Sequence, residues 1–289
     1  ERPQKGRMRE FVQCDIDILG SDSPLCELEL IQTTAAALLK LDIGRFTVKV
    51  NDRRVLRGVL RTAGVAEEQM DTVCVSLDKW DKIGTEGVLA ELSEKSVSPA
   101  AAEQIGRLLE GGCTLEQAEA LCGDPESIAR LKGILDDSVR LADGKYDVVF
   151  DLLLIRGQGY YTGTVFEIQS NKFRGSVAGG GRYDGLVGKF TGENVPAVGF
   201  SIGFERIFQI LESQGFSIPG QRRRAAVLCG ESEGTEALRK AEELRAEGWE
   251  ASVYIRPKKM GKFLNRLQEQ GFDAFLVLGE SSEPKPLAQ

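Results

Sequence analysis

At 289 residues the chain is long enough for two domains, or three. Apolar residues make up 42% and charged residues 28%, the balance of a soluble globular protein, and no apolar run reaches bilayer-spanning length. A net charge of −7 argues against a broadly basic nucleic-acid binder but leaves room for a local basic patch.

Residues 1–7 are polar and basic, with Arg2, Lys5 and Arg7 around Pro3 and Gly6, and read as a loop. Residues 11–19 alternate as a strand, with Val12, Cys14, Ile16 and Ile18 on an apolar face and Gln13, Asp15 and Asp17 on a polar one. That polar face is either wetted by solvent or the floor of a pocket, with Gln13 and Asp17 roughly 13 Å apart. Ser23 followed by Pro24 starts a helix running to about residue 41 and closed by Gly44. Residues 46–50 alternate as a second strand, and Asn51-Asp52 turns the chain into a helix ending near Gly64.

From about 67 to 145 the pattern is helical, with Ile128, Leu131 and Leu135 stacking on one face of a helix over 125–141. No chemistry concentrates there, and its charges read as a solvated surface. The apolar run 147–155 predicts a buried central strand. It feeds Arg156-Gly-Gln-Gly-Tyr-Tyr161, a glycine-punctuated turn with one guanidinium and two tyrosines, before a β-rich run over 164–169. A second glycine-rich segment follows at 175–186. Each segment alone reads equally as an ordinary hairpin turn; two in tandem favour a site.

Around 198–215 a strand passes through Gly203 into a helix, where Phe204, Ile207, Phe208 and Leu211 have the spacing of a core face. Arg206 lies off that face in the first turn, against the helix dipole, a placement suited to an anion at that end or to a neighbouring carboxylate. After Pro219 the order is strand, helix, strand, helix, strand, implying a small parallel α/β domain. It has no dinucleotide fingerprint; Arg256, Lys258 and Lys259 at a strand end suit phosphate contact or a solvated loop. The six cysteines (14, 26, 74, 113, 122, 229) include no C-x-x-C pair, which argues against zinc and disulfides and fits a reduced, cytoplasmic protein. With no histidine in the chain, catalysis must use carboxylates, arginines, tyrosines and backbone dipoles.

Arg156-Gly-Gln-Gly-Tyr-Tyr161 and Ala178-Gly-Gly-Gly-Arg-Tyr-Asp-Gly185 resemble the two signature peptides of histidyl-tRNA synthetases, a class II aminoacyl-tRNA synthetase family. Residues 1–11 resemble its motif 2 loop and 197–207 its motif 3. The resemblance implies an α+β catalytic core over 1–66 and 146–218, built on the antiparallel class II sheet flanked by helices. A helical insertion at 67–145, suited to contact with the tRNA acceptor arm, and an anticodon-binding α/β domain at 219–289 complete it. The implied activity is histidine–tRNA ligase: histidine and ATP give histidyl-adenylate, and the histidyl group then passes to tRNA(His).

By motif position, the resemblance puts Arg156 against the α-phosphate and the substrate carboxylate, and Arg7 and Arg206 on the nucleotide's phosphates. It puts Gln13 and Asp17 at the amino-acid end, Asp17 on the ammonium group, and Tyr160, Tyr161 and Tyr183 around the imidazole. The resemblance also implies magnesium bridging the ATP phosphates, with no protein side chain assigned to it, and a homodimer of the full-length protein; the cysteine spacing and the short apolar runs argue against zinc and a membrane. This sequence departs from the family at Val12, where a histidine is usual, and at Gly159, where an aspartate is frequent. It lacks counterparts of motif 1, of a threonine–glutamate loop and of the motif 2 arginine. The expectation is therefore an N-terminally incomplete catalytic core that does not adenylate alone, with a C-terminal domain that stops early. Two non-catalytic relatives share the fold: the regulatory subunit of ATP phosphoribosyltransferase, and synthetase-like modules that sense uncharged tRNA.

Overall fold

The computed structural model describes residues 10–155, 159–216, 220 and 222–287. The chain divides between Gly215 and Phe216 into two compact units. In the first, strand β1 (Gln13–Leu19) leads to helix α1 (Pro24–Lys40), whose N-cap Ser23 accepts a hydrogen bond from Leu25 N at 3.3 Å. Strand β2 (Phe46–Asp52) runs directly into α2 (Arg53–Thr62), because the Asp52 carboxylate caps the helix through Arg54 N at 2.8 Å.

The helical segment comprises α3 (Met70–Leu77), α4 (Trp80–Glu94, interrupted at Gly84), α5 (Pro99–Gly111), α6 (Leu115–Cys122) and α7 (Pro125–Ala142). Ser98 caps α5, Thr114 and Gln117 form a capping box on α6, and Asp124 caps α7. These helices share one continuous hydrophobic core with α1, α2 and the sheet. Strands β3 (Asp147–Phe150), β4 (Thr164–Ser170) and β5 (Ser176–Arg182), helix α8 (Asp184–Thr191), strand β6 (Ala197–Gly203) and helix α9 (Phe204–Ser213) complete the unit. The six-stranded sheet has the order β1-β6-β5-β4-β2-β3, antiparallel except for the β2–β3 pair.

Three expectations need correction, and one open alternative is decided. The apolar run after Asp147 is not a central strand: β3 is a four-residue edge strand, because Asp151 turns the chain by accepting Leu153 N on its carboxylate and Leu154 N on its carbonyl. The second glycine segment is not a turn: Gly179, Gly180 and Gly181 lie inside β5. Val12 and Cys14 are exposed, because β1 is an edge strand whose inner cover reaches only Ile16 and Ile18. In α9 the core face belongs to Ile207 and Ile210, while Phe204 and Phe208 stack on each other, 6.4 Å apart, on the exposed side.

In the second unit, β7 (Arg224–Cys229), α10 (Gly234–Ala246), β8 (Glu250–Ile255), α11 (Met260–Glu269) and β9 (Ala274–Val277) form a parallel arrangement with β7 central. A short β10 (Lys285–Pro286), absent from the sequence reading, adds antiparallel to β9. Among the described residues no helix is long and apolar enough to cross a membrane.

Candidate functional site

Cross-strand neighbours in a sheet share a face, so the register states which side chains meet. One row runs across five strands of the first unit: Asp15, Ser201, Gly179, Glu167 and Lys49. A second row, one pleat on, holds Asp17, Gly199 and Gly181. This polar, glycine-floored face lines a cleft of about 860 Å³ that lies wholly within the first unit.

The glycines are a steric requirement. A Cβ on Gly199 would collide with the Asp17 carboxylate, and one on Gly181 would stand 2.9 Å from the ring of Tyr161. With both absent, the tyrosine loop lies on the strand. Tyr160 and Tyr161 have ring centroids 4.5 Å apart, and Tyr160 meets Tyr183 edge-on at 6.1 Å. The Tyr183 hydroxyl donates to Asp17 Oδ1. Burial and then that bond to a carboxylate push the Tyr183 hydroxyl well above the ordinary tyrosine value, so it stays a donor. Gln13 Nε2 donates to Ser201 Oγ at 2.6 Å.

Arg206, in the first turn of α9, lines the same cleft and donates through Nη1 to Ser176 O at 2.5 Å and Ser176 Oγ at 3.2 Å. The opposite wall comes from the helical segment, through Leu77, Asp78, Trp80 and Asp81. Lys49 is paired to Asp151 at 2.8 Å. Asn51 donates to Leu152 O at 2.9 Å and Leu154 O at 3.2 Å, which anchors the stretch leading to residue 156.

Of the eight site residues expected from the sequence, six fall on this cleft: Gln13, Asp17, Tyr160, Tyr161, Tyr183 and Arg206. Arg7 and Arg156 lie outside the described residues. The described lining therefore carries six carboxylates (Asp15, Asp17, Asp78, Asp81, Asp151, Glu167) against two cations, Lys49 and Arg206. Such a field suits an ammonium group near Asp17, whereas an anion fits best at the Arg206 end.

Sequence reasoning passed over Ser201, Glu167 and Trp80. The alternation of β4 and β6 contained the first two, because both strands are apolar on the other face. It also passed over Glu27, which is fully buried on α1 and whose carboxylate accepts hydrogen bonds from the guanidinium groups of Arg182 and Arg130. A glutamate in phase with Ile31, Thr34 and Leu38 on a buried helix face signals a buried cation elsewhere in the chain.

A family model described as histidyl-tRNA synthetase matches residues 1–207. A histidine–tRNA ligase of Leifsonia xyli subsp. xyli is 47% identical over 231 residues, covering 73% of this chain and 52% of the relative. One of Cytophaga hutchinsonii is 37% identical over 296 residues, covering 97% of this chain and 64% of the relative. The chain thus spans between about half and two-thirds of the length of these relatives. The crystal structure of histidyl-tRNA synthetase from Nostoc sp. PCC 7120 superposes with a TM-score of 0.72 at 25% identity, covering 93% of this chain and 67% of that one. A structure described as an ATP phosphoribosyltransferase regulatory subunit/histidyl-tRNA synthetase from Bacillus halodurans C has a TM-score of 0.69 at 21% identity, a likeness of fold alone.

Proposed function

This chain belongs to the histidyl-tRNA synthetase family and has the class II synthetase fold, and from that premise we propose that it forms the active cleft of a histidine–tRNA ligase. The observation that carries the reading is the tyrosine wall closing on Asp17, with Gln13 farther along the same strand and Arg206 lining the same cleft. Asp17 would take the ammonium group of histidine, and Tyr160, Tyr161 and Tyr183 would enclose the imidazole. The Tyr183 hydroxyl, kept protonated, orients the Asp17 carboxylate toward the slot.

The substrate carboxylate attacks the α-phosphorus of ATP, a phosphorus–oxygen bond forms, and pyrophosphate leaves. The attacking group is already ionised, so no protein base is needed. What this step demands is in-line placement and cations where negative charge develops. Arg206 would supply one such cation at the helix end, and Arg7 and Arg156 are proposed for the others. Magnesium is proposed as carried on the nucleotide's phosphates. A terminal ribose hydroxyl of tRNA(His) then takes the histidyl group and AMP leaves. A homodimer and a cytoplasmic location belong to the same proposal.

The test is ATP–pyrophosphate exchange by the full-length protein with each amino acid in turn. Histidine alone is expected to drive it, and Asp17→Asn should raise the histidine KM by about tenfold or more. Histidine binding with no exchange would move the reading to a non-catalytic paralogue.

A further inference from the structure

Arg182 ends β5, immediately before Tyr183, and is a charged residue only 3% exposed. Its Nε and Nη2 hold the two oxygens of Glu27 at 2.8 and 2.7 Å. Nη1 reaches Asp184 Oδ1 at 3.1 Å and Ser21 O at 3.2 Å, and Nη2 reaches Ser23 O at 3.5 Å. These partners sit where the cleft's walls are joined. Ser21 and Ser23 lie in the link from β1, which carries Gln13 and Asp17, to α1. Asp184 follows Tyr183 and accepts Ala197 N at 2.9 Å.

The backbone of the same residue holds the other tyrosines. Arg182 O accepts Thr162 N at 2.7 Å, and Thr162 Oγ1 accepts Asp184 N at 3.1 Å, so the loop bearing Tyr160 and Tyr161 is tied to the same point. Arg130 of α7 also donates to Glu27, at Oε1 and 2.9 Å, and to Asp22 O at 2.8 Å.

We infer that Arg182 is a positioning residue for the cleft: through Glu27, Asp184 and Thr162 it sets how closely the tyrosine wall approaches Asp17. Through Arg130 it links that spacing to α7 of the helical segment. A buried ion pair is not in general more stabilising than apolar packing of the same shape, so the pair's contribution at this junction is one of geometry. The guanidinium fork fixes both distance and direction against a carboxylate, which the single ammonium of a lysine does not.

The kinetic arm of the test rests on the function proposed above; the exchange arm does not. In the full-length protein, Arg182→Lys should speed backbone hydrogen exchange in residues 159–163 and 183–187. Exchange in β2 and in residues 222–287 should stay at wild-type rates. In ATP–pyrophosphate exchange its histidine KM should rise about tenfold, with the ATP KM changing by no more than about twofold. A uniform rise in exchange over the first unit, or two unchanged KM values with only a lower rate, would reduce Arg182 to a structural residue and overturn the inference. If Arg182→Lys does not fold, Glu27→Gln is measured instead, since it keeps shape and acceptor but removes the charge, and the same pattern is expected. A wild-type protein without pyrophosphate exchange would refute the proposed function, and the hydrogen-exchange pattern would still decide the role of Arg182.

Discussion

In the six-stranded sheet the neighbours Phe166 and Glu167 have opposite fates: Phe166 is fully buried against Phe200, while Glu167 faces the cleft. In the four-stranded sheet the neighbours Val227 and Leu228 are both fully buried, one in each of two separate clusters. The difference follows from how the strands are connected. Antiparallel strands need no crossover, so one face of that sheet is left to build a cleft. Parallel strands are joined by helices, and here Ala237, Ala241 and Leu244 of α10 cover one face while Leu267 of α11 covers the other. At the strand ends of the second unit Arg256 follows β8 and is paired with Glu280 at 2.5 Å.

The chain's two tryptophans fall one in each unit, Trp80 and Trp249. Single-tryptophan variants therefore let urea unfolding be followed in either sheet. The one-sided sheet should be sensitive at alternate positions only. Phe166→Ala should cost about 3–5 kcal/mol in the Trp80 transition, and Glu167→Gln should stay within about 0.5 kcal/mol of wild type. A cost for Glu167→Gln equal to that of Phe166→Ala would mean that the cleft face is structural packing, and the comparison would break.

Glu27 sharpens the contrast, because the second unit has no buried carboxylate among the described residues. Glu27→Ala takes from Arg182 and Arg130 the buried carboxylate they share and should cost about 3–5 kcal/mol. Burial alone would raise the Glu27 carboxyl, but hydrogen bonds from Arg182 and Arg130 outweigh it and hold the group below the ordinary glutamate value of 4.5. A carboxylate with a lowered folded value stabilises fully above that ordinary value and loses its contribution as pH falls through the lower one. The Trp80 midpoint should consequently fall more steeply below about pH 4.5 in wild type than in Glu27→Gln, while the Trp249 midpoint does not separate the two proteins.

The two-sided sheet gives the next effect. Leu276 faces the α10 cluster and Leu228 the α11 cluster, and both are fully buried. Leu276→Ala and Leu228→Ala should each cost about 2–5 kcal/mol in the Trp249 transition, with no face spared.

What the sequence made legible follows the same division. The alternation of β2, with Phe46, Val48 and Val50 inward and Lys49 toward the cleft, needs only the period of a strand. The β–α–β order of the second unit was equally readable from helix stops and apolar runs. The glycines of β5 were not, since their reason lies in the approach of Tyr161 and of the β6 backbone, which local turn chemistry does not encode. Phe204 and Phe208 have core spacing yet lie outside, because Ile207 and Ile210 already fill the space beneath α9. Glu27 and Arg182 are 155 residues apart, so no local pattern joins them.

The smallest expected effect is the most direct check on why burial decides these outcomes. Arg45 Nη2 stands 2.7 Å from Asp147 Oδ1, the same separation as Arg182 Nη2 from Glu27 Oε2. The side chains of the first pair are 62% and 46% exposed, and those of the second 4% and 0%. Water screens the Arg45 pair, and ordering two mobile side chains offsets most of what attraction remains. Arg45→Ala should therefore leave the Trp80 urea midpoint indistinguishable from wild type at physiological salt, although it removes an ion pair as short as the one at Glu27. A shift as large as that of Glu27→Ala would mean that distance, and not desolvation, governs ion pairs in this sheet.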